Sequence, residues 1–364
     1  MAPTTNAPGS PHCRLGGHQK AAPVGAGGER VFSPYECSRF MLITITPNPT
    51  IDRVYYLPSL IPNTVHRAVK EVATPSGKGI DASIILHLLG KPTLALGLTA
   101  GHTGQVLASL MSEMGVPHDF IAAEGETRTV PVIRDDATGH EYTITAPTLQ
   151  ATTAHLAQLL ARLAHHAPSA WGLICAGSLP AGMPADSYAH ILRHARELGL
   201  ITLLDVGGQA LQLGIAGAPA YLKINMAELI ALDNAFAQHQ LAIEQHPTNR
   251  TALCALATAL AAQLHRLASG AIIISMGKRG ALAVAHAGAW YAPALDVPIG
   301  VTAGAGDAMD AGIMLAREQG AGWLEAMRWG TALAAAAVMH PGTAGCDATQ
   351  VPHLLQQVQV ERIA

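Results

Sequence analysis

The sequence predicts an α/β fold in which a mostly parallel sheet is covered by helices on both faces. Three observations predict it. Short runs of apolar residues recur along the chain, and one of them, 271–275, is nearly all isoleucine. Longer helix-forming stretches separate these runs, and glycine or proline marks many of the junctions. A run that is apolar at every position buries both of its faces, as strands of a parallel sheet do.

The elements follow in order. Residues 42–46 (Leu-Ile-Thr-Ile-Thr) read as a strand directly after Met41. Residues 80–89 read as a helix and 93–98 as a strand, and 104–114 as a helix that stops before Gly115, a residue type suited to helix ends. A buried strand over 170–176 precedes a helix over 184–198 that opens on proline. Residues 200–205 and 221–224 are strands, and a helix starts at Met226. A helix over 251–267 leads into the strand 271–275. Two segments break this rhythm. Residues 53–73 contain the β-prone stretches 53–57 and 66–69. Residues 127–145 place 129–134 and 141–145 around a turn at 135–139, the pattern of a hairpin. Both are expected to project from the main sheet as a small β-lid.

At 364 residues and 49% hydrophobic, the chain is long enough for one large α/β domain with a small appendage. A net charge of -3 leaves no broad basic surface, and nucleic acid is not expected as a partner. The five cysteines, Cys13, Cys37, Cys175, Cys254 and Cys346, form no C-x-x-C pair and read as reduced thiols of a cytoplasmic protein. The histidines are dispersed, as on a surface, rather than set at metal-ligand spacing. No apolar run reaches the length of a membrane span, and no membrane partner is expected. Residues 1–40 are rich in Gly, Pro and Ala without a regular period. They read as a disordered extension, or as residues ahead of a true start at Met41.

The densest chemistry lies in residues 301–307 (Val-Thr-Ala-Gly-Ala-Gly-Asp), ahead of a helical run over 308–318. The free N–H groups of a helix N-terminus attract anions, and glycine lets a phosphate approach them. Asp307 beside that turn is placed to take a proton from a hydroxyl. The combination points to phosphoryl transfer from a nucleotide to an alcohol. The other motifs are weaker alone. Ser76-Gly77-Lys78-Gly79 offers glycines and a charge but also fits an ordinary strand-to-helix loop. Asp52 follows the first strand, where α/β folds bind ligands, and equally fits a solvated turn. Asn225 and Glu228, three residues apart, suit hydrated Mg²⁺ through oxygen and water, and equally a helix cap. Ser275, Gly277 and Gly280 follow the isoleucine strand and can border a nucleotide. Ser178 can donate to a phosphate, and Arg67 and Arg128 are candidate phosphate clamps.

Taken in order, these motifs resemble the PfkB (ribokinase-like) carbohydrate kinase family, over residues 41 to about 350. The resemblance rests on Thr46-Pro47-Asn48-Pro49-Thr50-Ile51-Asp52, Thr64-Val65-His66-Arg67, Gly77-Lys78-Gly79, Gly125-Glu126-Thr127-Arg128 and Gly177-Ser178-Leu179-Pro180-Ala181-Gly182. It continues through Lys223 with Asn225 and Glu228, Ser275-Met276-Gly277, and Gly304-Ala305-Gly306-Asp307. It implies a ribokinase-like three-layer α/β/α sandwich over 41–364, with a mostly parallel central sheet and the β-lid at about 53–73 and 127–145. The chain looks most like the branch that acts on phosphosugars. The implied activity is ATP-dependent phosphorylation of a hexose monophosphate, fructose 1-phosphate first. Tagatose-6-phosphate or fructose 6-phosphate are the alternatives, followed by an unphosphorylated sugar or nucleoside, or a non-catalytic sensor of sugar phosphates.

The resemblance also implies roles. Asp307 is the general base, and Gly304, Ala305 and Gly306 supply amides to the transferred group. Asp52, Gly77, Lys78, Gly79, Asp81 and Ser178 line the sugar site, with Arg67 and Arg128 on the phosphate that the substrate already carries. Lys223, Asn225, Ser275, Gly277 and Gly280 serve ATP, and Asn225 and Glu228 organise Mg²⁺ through water. Pairing of two lids into a homodimer is also implied. The chain departs from the family pattern at Asp81, where the signature has asparagine, and at Val301, Ile224 and Val206-Gly207. A second carboxylate beside a phosphosugar needs neutralising, by Lys78 or an arginine.

Overall fold

The structure, a computed structural model, describes residues 39–245 and 250–364. The expectations for residues 1–40 therefore lie outside the described residues, apart from Arg39 and Phe40, which lead into the first strand.

The apolar runs become strands buried on both faces. In Met41–Thr46, Ile43 and Ile45 enter one apolar core and Leu42 another, on the opposite side of the sheet. In Ala271–Ser275, Ile272 and Ile274 join the first core and Ile273 the second. This division follows from the two-residue period of a strand. Thr44 lies on the same face as Leu42, and its buried hydroxyl is satisfied by Ser83 Oγ at 2.9 Å. Ile224, where the family pattern has proline, is wholly buried opposite Ile274 in the ladder.

Among the described residues ten strands form the main sheet. Their order is Glu361–Arg362, Gly288–Ala292, Ala281–Ala285, Ala271–Ser275, Tyr221–Asn225, Ile201–Asp205, Ala170–Ala176, Met41–Thr46, Thr93–Thr99 and His118–Ala122. The seven from Ala271–Ser275 to His118–Ala122 run parallel, and the remaining three are antiparallel. Helices cover both faces, giving the ribokinase-like α/β/α arrangement. Seven parallel strands place all their carboxyl ends along one edge, so the loops that follow them converge there.

The helices keep the expected places with shifted ends, for example Lys78–Leu88, Gly101–Glu113, Ser187–Glu197 and Arg250–Leu267. The lid forms a separate sheet in the order Lys70–Ser76, Thr50–Leu57, Arg128–Asp135 and His140–Thr143. Its inner face presents Val54, Val130 and Val132, packed on Val301. The apolar residue at 301 is thus the seat of the lid. One expectation is corrected: 66–69 is not a strand. The His66 ring turns back and accepts from Ile61 N at 3.1 Å, which closes the segment as a loop. No described helix is long and apolar enough to cross a membrane.

Candidate active site

The strand ends bring together most of the residues singled out in the sequence. The helix Ala305–Glu318 starts at this edge behind Gly304, whose φ is 86°. A Cβ at position 304 would meet Thr343 O at 1.9 Å, so only glycine fits the turn. Ala308 N is bonded to Gly304 O at 3.0 Å, which leaves the amides of Gly306 and Asp307 ahead of the helical ladder. Asp307 is 7% exposed in this first turn.

Beneath the turn lies a network of buried charge. Asp205, at the carboxyl end of Ile201–Asp205, accepts from Lys78 Nζ at 2.7 Å and from Lys223 Nζ. Lys223 Nζ also lies 3.6 Å from Asp310 Oδ1. Burial works against the Asp205 carboxylate, but Lys223 and Lys78 overcome it and hold its pKa below the ordinary value. Burial likewise opposes the Lys223 ammonium, and Asp205, Asp310 and Asp307 outweigh it and raise its pKa. For Asp307 burial dominates: its pKa is pushed up to about 7, with Lys78 and Lys223 pulling it down and Asp205 pushing it up.

Asp205, Asp307 and Asp310 hold carboxylate oxygens within 4.8 Å of one another. The ammonium groups of Lys78 and Lys223 offset two of the three charges, and burial pushes Asp310 toward its neutral form. Among the described residues no histidine belongs to such a group.

Just before the lid strand Thr50–Leu57, Asn48 Nδ2 donates to Ser178 Oγ at 3.2 Å, and an Arg128 guanidinium nitrogen donates to Asn48 O at 3.1 Å. Asp52 is 8% exposed and its Oδ1 has no partner, as is also true of Arg128 Nε. Burial raises the Asp52 pKa, partly offset by Thr343, Ser76 and Thr50 hydroxyls and by Arg128. Asp81 is 4% exposed and accepts from Ser76 Oγ at 3.1 Å and Gly77 N at 3.2 Å. Gly77 has a φ of 125°, and a Cβ there would strike Thr46 Cγ2 at 2.7 Å.

On the other side of the turn a cleft of about 430 Å³ is bordered by Ser275, Gly277, Gly280, Ala305 and Gly306. Its far wall is mostly apolar, made by Leu295, Val297 and Ile299 and by Ala334, Ala335 and Val338 of the helix Trp323–Val338, with Asp296 and Thr331 also on it. Asn225 borders a smaller adjoining cleft of about 220 Å³, which shares Ser275 and Gly277.

Several expectations need correction. Lys223 does not border the nucleotide-sized cleft. It is 3% exposed and buried among carboxylates, with its Nζ 3.2 Å from where a Cβ on Gly306 would stand. Its charge therefore reaches the cleft through the turn. Lys78 does not neutralise Asp81, because Asp205 takes it. Gly79 packs on the first strand, where a Cβ would meet Thr46 Oγ1 at 2.6 Å. Asn225 and Glu228 cap their helix reciprocally: Asn225 Oδ1 accepts from Glu228 N at 2.9 Å, and Glu228 Oε2 from Asn225 N at 2.8 Å. Arg67 is exposed in the lid loop, with no partner among the described residues.

Three groups were missed. Asp205 and Asp310 build the charge network. Asp205 ends a strand, as the region around Asp52 follows one, and Asp310 stands one helical turn from Asp307; both signals were in the sequence. Glu141 on the last lid strand accepts from Thr302 N at 3.0 Å and Thr302 Oγ1 at 2.6 Å, tying the lid to the turn. No local pattern announces that contact, since the two residues are 161 positions apart.

Comparisons with known proteins agree with this geometry. The description "pfkB family carbohydrate kinase" matches residues 43–350. A 1-phosphofructokinase of Xanthomonas campestris is 34% identical over 278 residues, covering 75% of this chain and 83% of its own. An ATP-dependent 6-phosphofructokinase isozyme 2 of Mycobacterium tuberculosis is 29% identical over 321 residues, covering 86% and 89%. A solved structure from Thermotoga maritima, described as a possible 1-phosphofructokinase, superposes with a TM-score of 0.76 at 25% identity, covering 89% of this chain and 100% of that one.

Asp205→Asn is expected to destabilise the fold by about 3–5 kcal/mol, because it strands the buried Lys223 ammonium beside a neutral amide. Denaturant unfolding of the wild type and the variant measures the difference, and a change below about 1 kcal/mol contradicts the network.

Proposed function

The chain belongs to the pfkB family of carbohydrate kinases, and from that premise we propose that it transfers the γ-phosphoryl group of ATP to fructose 1-phosphate, giving fructose 1,6-bisphosphate. The observation that carries this reading is Asp307, a buried carboxyl at the open end of a helix. The cleft bordered by Ser275, Gly277 and Gly280 reaches its turn at Ala305 and Gly306, and in this reading the group formed by Asn48, Asp52, Ser178 and Arg128 receives the sugar.

In this reading the nucleotide base lies against the apolar wall of the large cleft, and the triphosphate runs toward Gly304, Ala305 and Gly306. The sugar is held by the unpartnered Asp52 oxygen and by Ser178. Arg128, joined by Arg67 from the lid loop, grips its existing phosphate. Asp307 accepts the proton of the primary hydroxyl as the sugar oxygen bonds to the γ-phosphorus, and the bond to the ADP oxygen breaks with its electron pair. The helix amides, with Lys223 beneath them, stabilise the charge that spreads over the transferred group. Magnesium, when bound with ATP, neutralises charge on the phosphates. The half-buried Glu228 suits its hydration shell, since it keeps the carboxylate oxygen that the helix cap does not use, with Asn225 beside it.

The Mycobacterium relative favours fructose 6-phosphate as a second acceptor. Exposed Ile61, Val65, Val69 and Ile144 on the lid support a homodimer formed lid to lid. Cys175, Cys254 and Cys346 are not paired in disulfides, which suits a cytoplasmic setting.

ADP release by the purified protein against a panel of fructose 1-phosphate, fructose 6-phosphate, tagatose 6-phosphate and free sugars tests the reading. Fructose 1-phosphate is expected to give the highest kcat/KM; release that no phosphosugar stimulates contradicts the proposal. Asp307→Asn is expected to lower kcat about 10²–10⁴-fold while leaving ATP affinity intact, and near-normal turnover removes Asp307 from the mechanism.

A further inference from the structure

Asp81 presents a chemical problem that the network beneath the turn does not solve. It is almost wholly buried, and both of its oxygens accept hydrogen bonds from neutral donors, Ser76 Oγ and Gly77 N. No cation pairs with it: Lys78, three residues earlier on the same helix, reaches Asp205 instead. The charged groups that face it are Asp307 from the helix Ala305–Glu318 and Asp52 from the lid strand Thr50–Leu57, both of its own sign. Its carboxyl lies in hydrogen-bond contact with that of Asp307. Two carboxylates can only accept, so a bond between them requires that one keep its proton.

The surroundings decide which one. Asp307 feels the ammonium groups of Lys78 and Lys223, which favour its anion, with Asp205 acting against them. Asp81 has no such support, and burial together with Asp307 and Asp52 favours its neutral form. We propose that Asp81 is a positioning residue that keeps its carboxyl proton and donates it to Asp307, so that the two groups carry a single negative charge when the substrate arrives. This rests on the reading of Asp307 as the base. It also answers how a carboxyl at position 81 coexists with a phosphosugar: the neutral acid presents no second charge to the ligand. A protonated carboxyl matches an asparagine amide in shape, with O–H in place of N–H. The Ser76 and Thr343 hydroxyls, 3.5 Å apart, can turn to suit either.

The proton count closes. Before transfer the pair holds one proton, on Asp81. Asp307 then takes the sugar hydroxyl proton, the freed electron pair of the sugar oxygen bonds the γ-phosphorus, and ADP leaves with the electrons of the broken P–O bond. The pair now holds two protons and is neutral, and one returns to water before the next turnover. Above the pKa of Asp81 the pair becomes a dianion, Asp307 loses its donor, and two like charges face an anionic sugar.

Three variants and two readouts test this. Asp81→Ala, lacking a donor, is expected to lower kcat about 10–100-fold, the effect of one hydrogen bond to a charged group. Asp81→Asn is expected to recover most of that loss. The wild-type kcat is expected to fall on the alkaline side, and that limb is expected to be absent in Asp81→Asn, whose amide cannot ionise. Infrared difference spectra of the unliganded protein, taken above the Asp307 midpoint, are expected to show a protonated-carboxyl C=O band that Asp81→Asn removes and Asp52→Asn keeps, apart from any signal of the buried Asp310. The infrared readout needs neither turnover nor a well-folded alanine variant. A kinase-inactive protein that shows the band sinks the function but not the shared proton. Absence of the band, an unchanged alkaline limb in Asp81→Asn, or a loss in Asp81→Asn equal to that in Asp81→Ala overturns the proposal.

Discussion

Everything at the carboxyl edge of the sheet depends on keeping charge buried under a glycine turn. Lys223 and Asp205 are 3% and 1% exposed, and Asp310 is fully buried. Isolated, each would cost several kcal/mol to remove from water. Together they compensate: Asp205 takes two ammonium groups, and Lys223 leans toward a second carboxylate in Asp310. The consequence for chemistry is direct. Lys223 Nζ lies 3.2 Å from where a Cβ on Gly306 would stand, so the turn is underlain by positive charge at close quarters. Asp307, on the rim of the same cluster, is desolvated enough to be basic and close enough to cations to ionise near neutral pH.

The lid supplies the second constraint. Its apolar face sits on Val301, immediately before the turn, while Glu141 bonds the backbone and hydroxyl of Thr302. The strand that carries Arg128 is therefore indexed to the turn that carries Asp307. Arg134 reinforces this by donating to Gly300 O from the same lid strand as Arg128. Arg128 and the glycine turn are thus held in register by the lid contacts of Val301, Thr302 and Gly300.

Much of this was legible in the sequence. The strand Ala271–Ser275 declared itself by three isoleucines, and Ala170–Ala176 by an uninterrupted apolar run. The lid strands showed through alternation, and Asp307 through the small residues ahead of a helix. What stayed hidden has physical reasons. His118–Ala122 is a half-buried edge strand with a mixed polar pattern, and Thr153–His166 mixes Ala, His and Gln with its apolar stripe, so neither has a strong local signature. Glu228 and Asn225 satisfied a capping pattern and a metal pattern equally, and the structure shows the cap. The family resemblance alone assigns Lys223 to the nucleotide. Its burial is set by Asp205 and Asp310, 18 residues before it and 87 after it, a pairing that no window on the sequence contains. The chemistry of Asp81 was half visible: the sequence showed a carboxyl that needed neutralising, but only the fold shows that Lys78 is already engaged.

The central claim is that burial in this charge cluster holds Asp307 poised as a base near neutral pH. The most direct measurement follows the carboxyl-carbon resonance of Asp307 against pH in protein carrying ¹³C-labelled aspartate, with the signal assigned by its absence in Asp307→Asn. The account predicts a titration midpoint of about 7, because burial outweighs Lys78 and Lys223. A midpoint near the ordinary aspartate value of about 4 would contradict it, since Asp307 would then be a solvated carboxylate with little affinity for a hydroxyl proton.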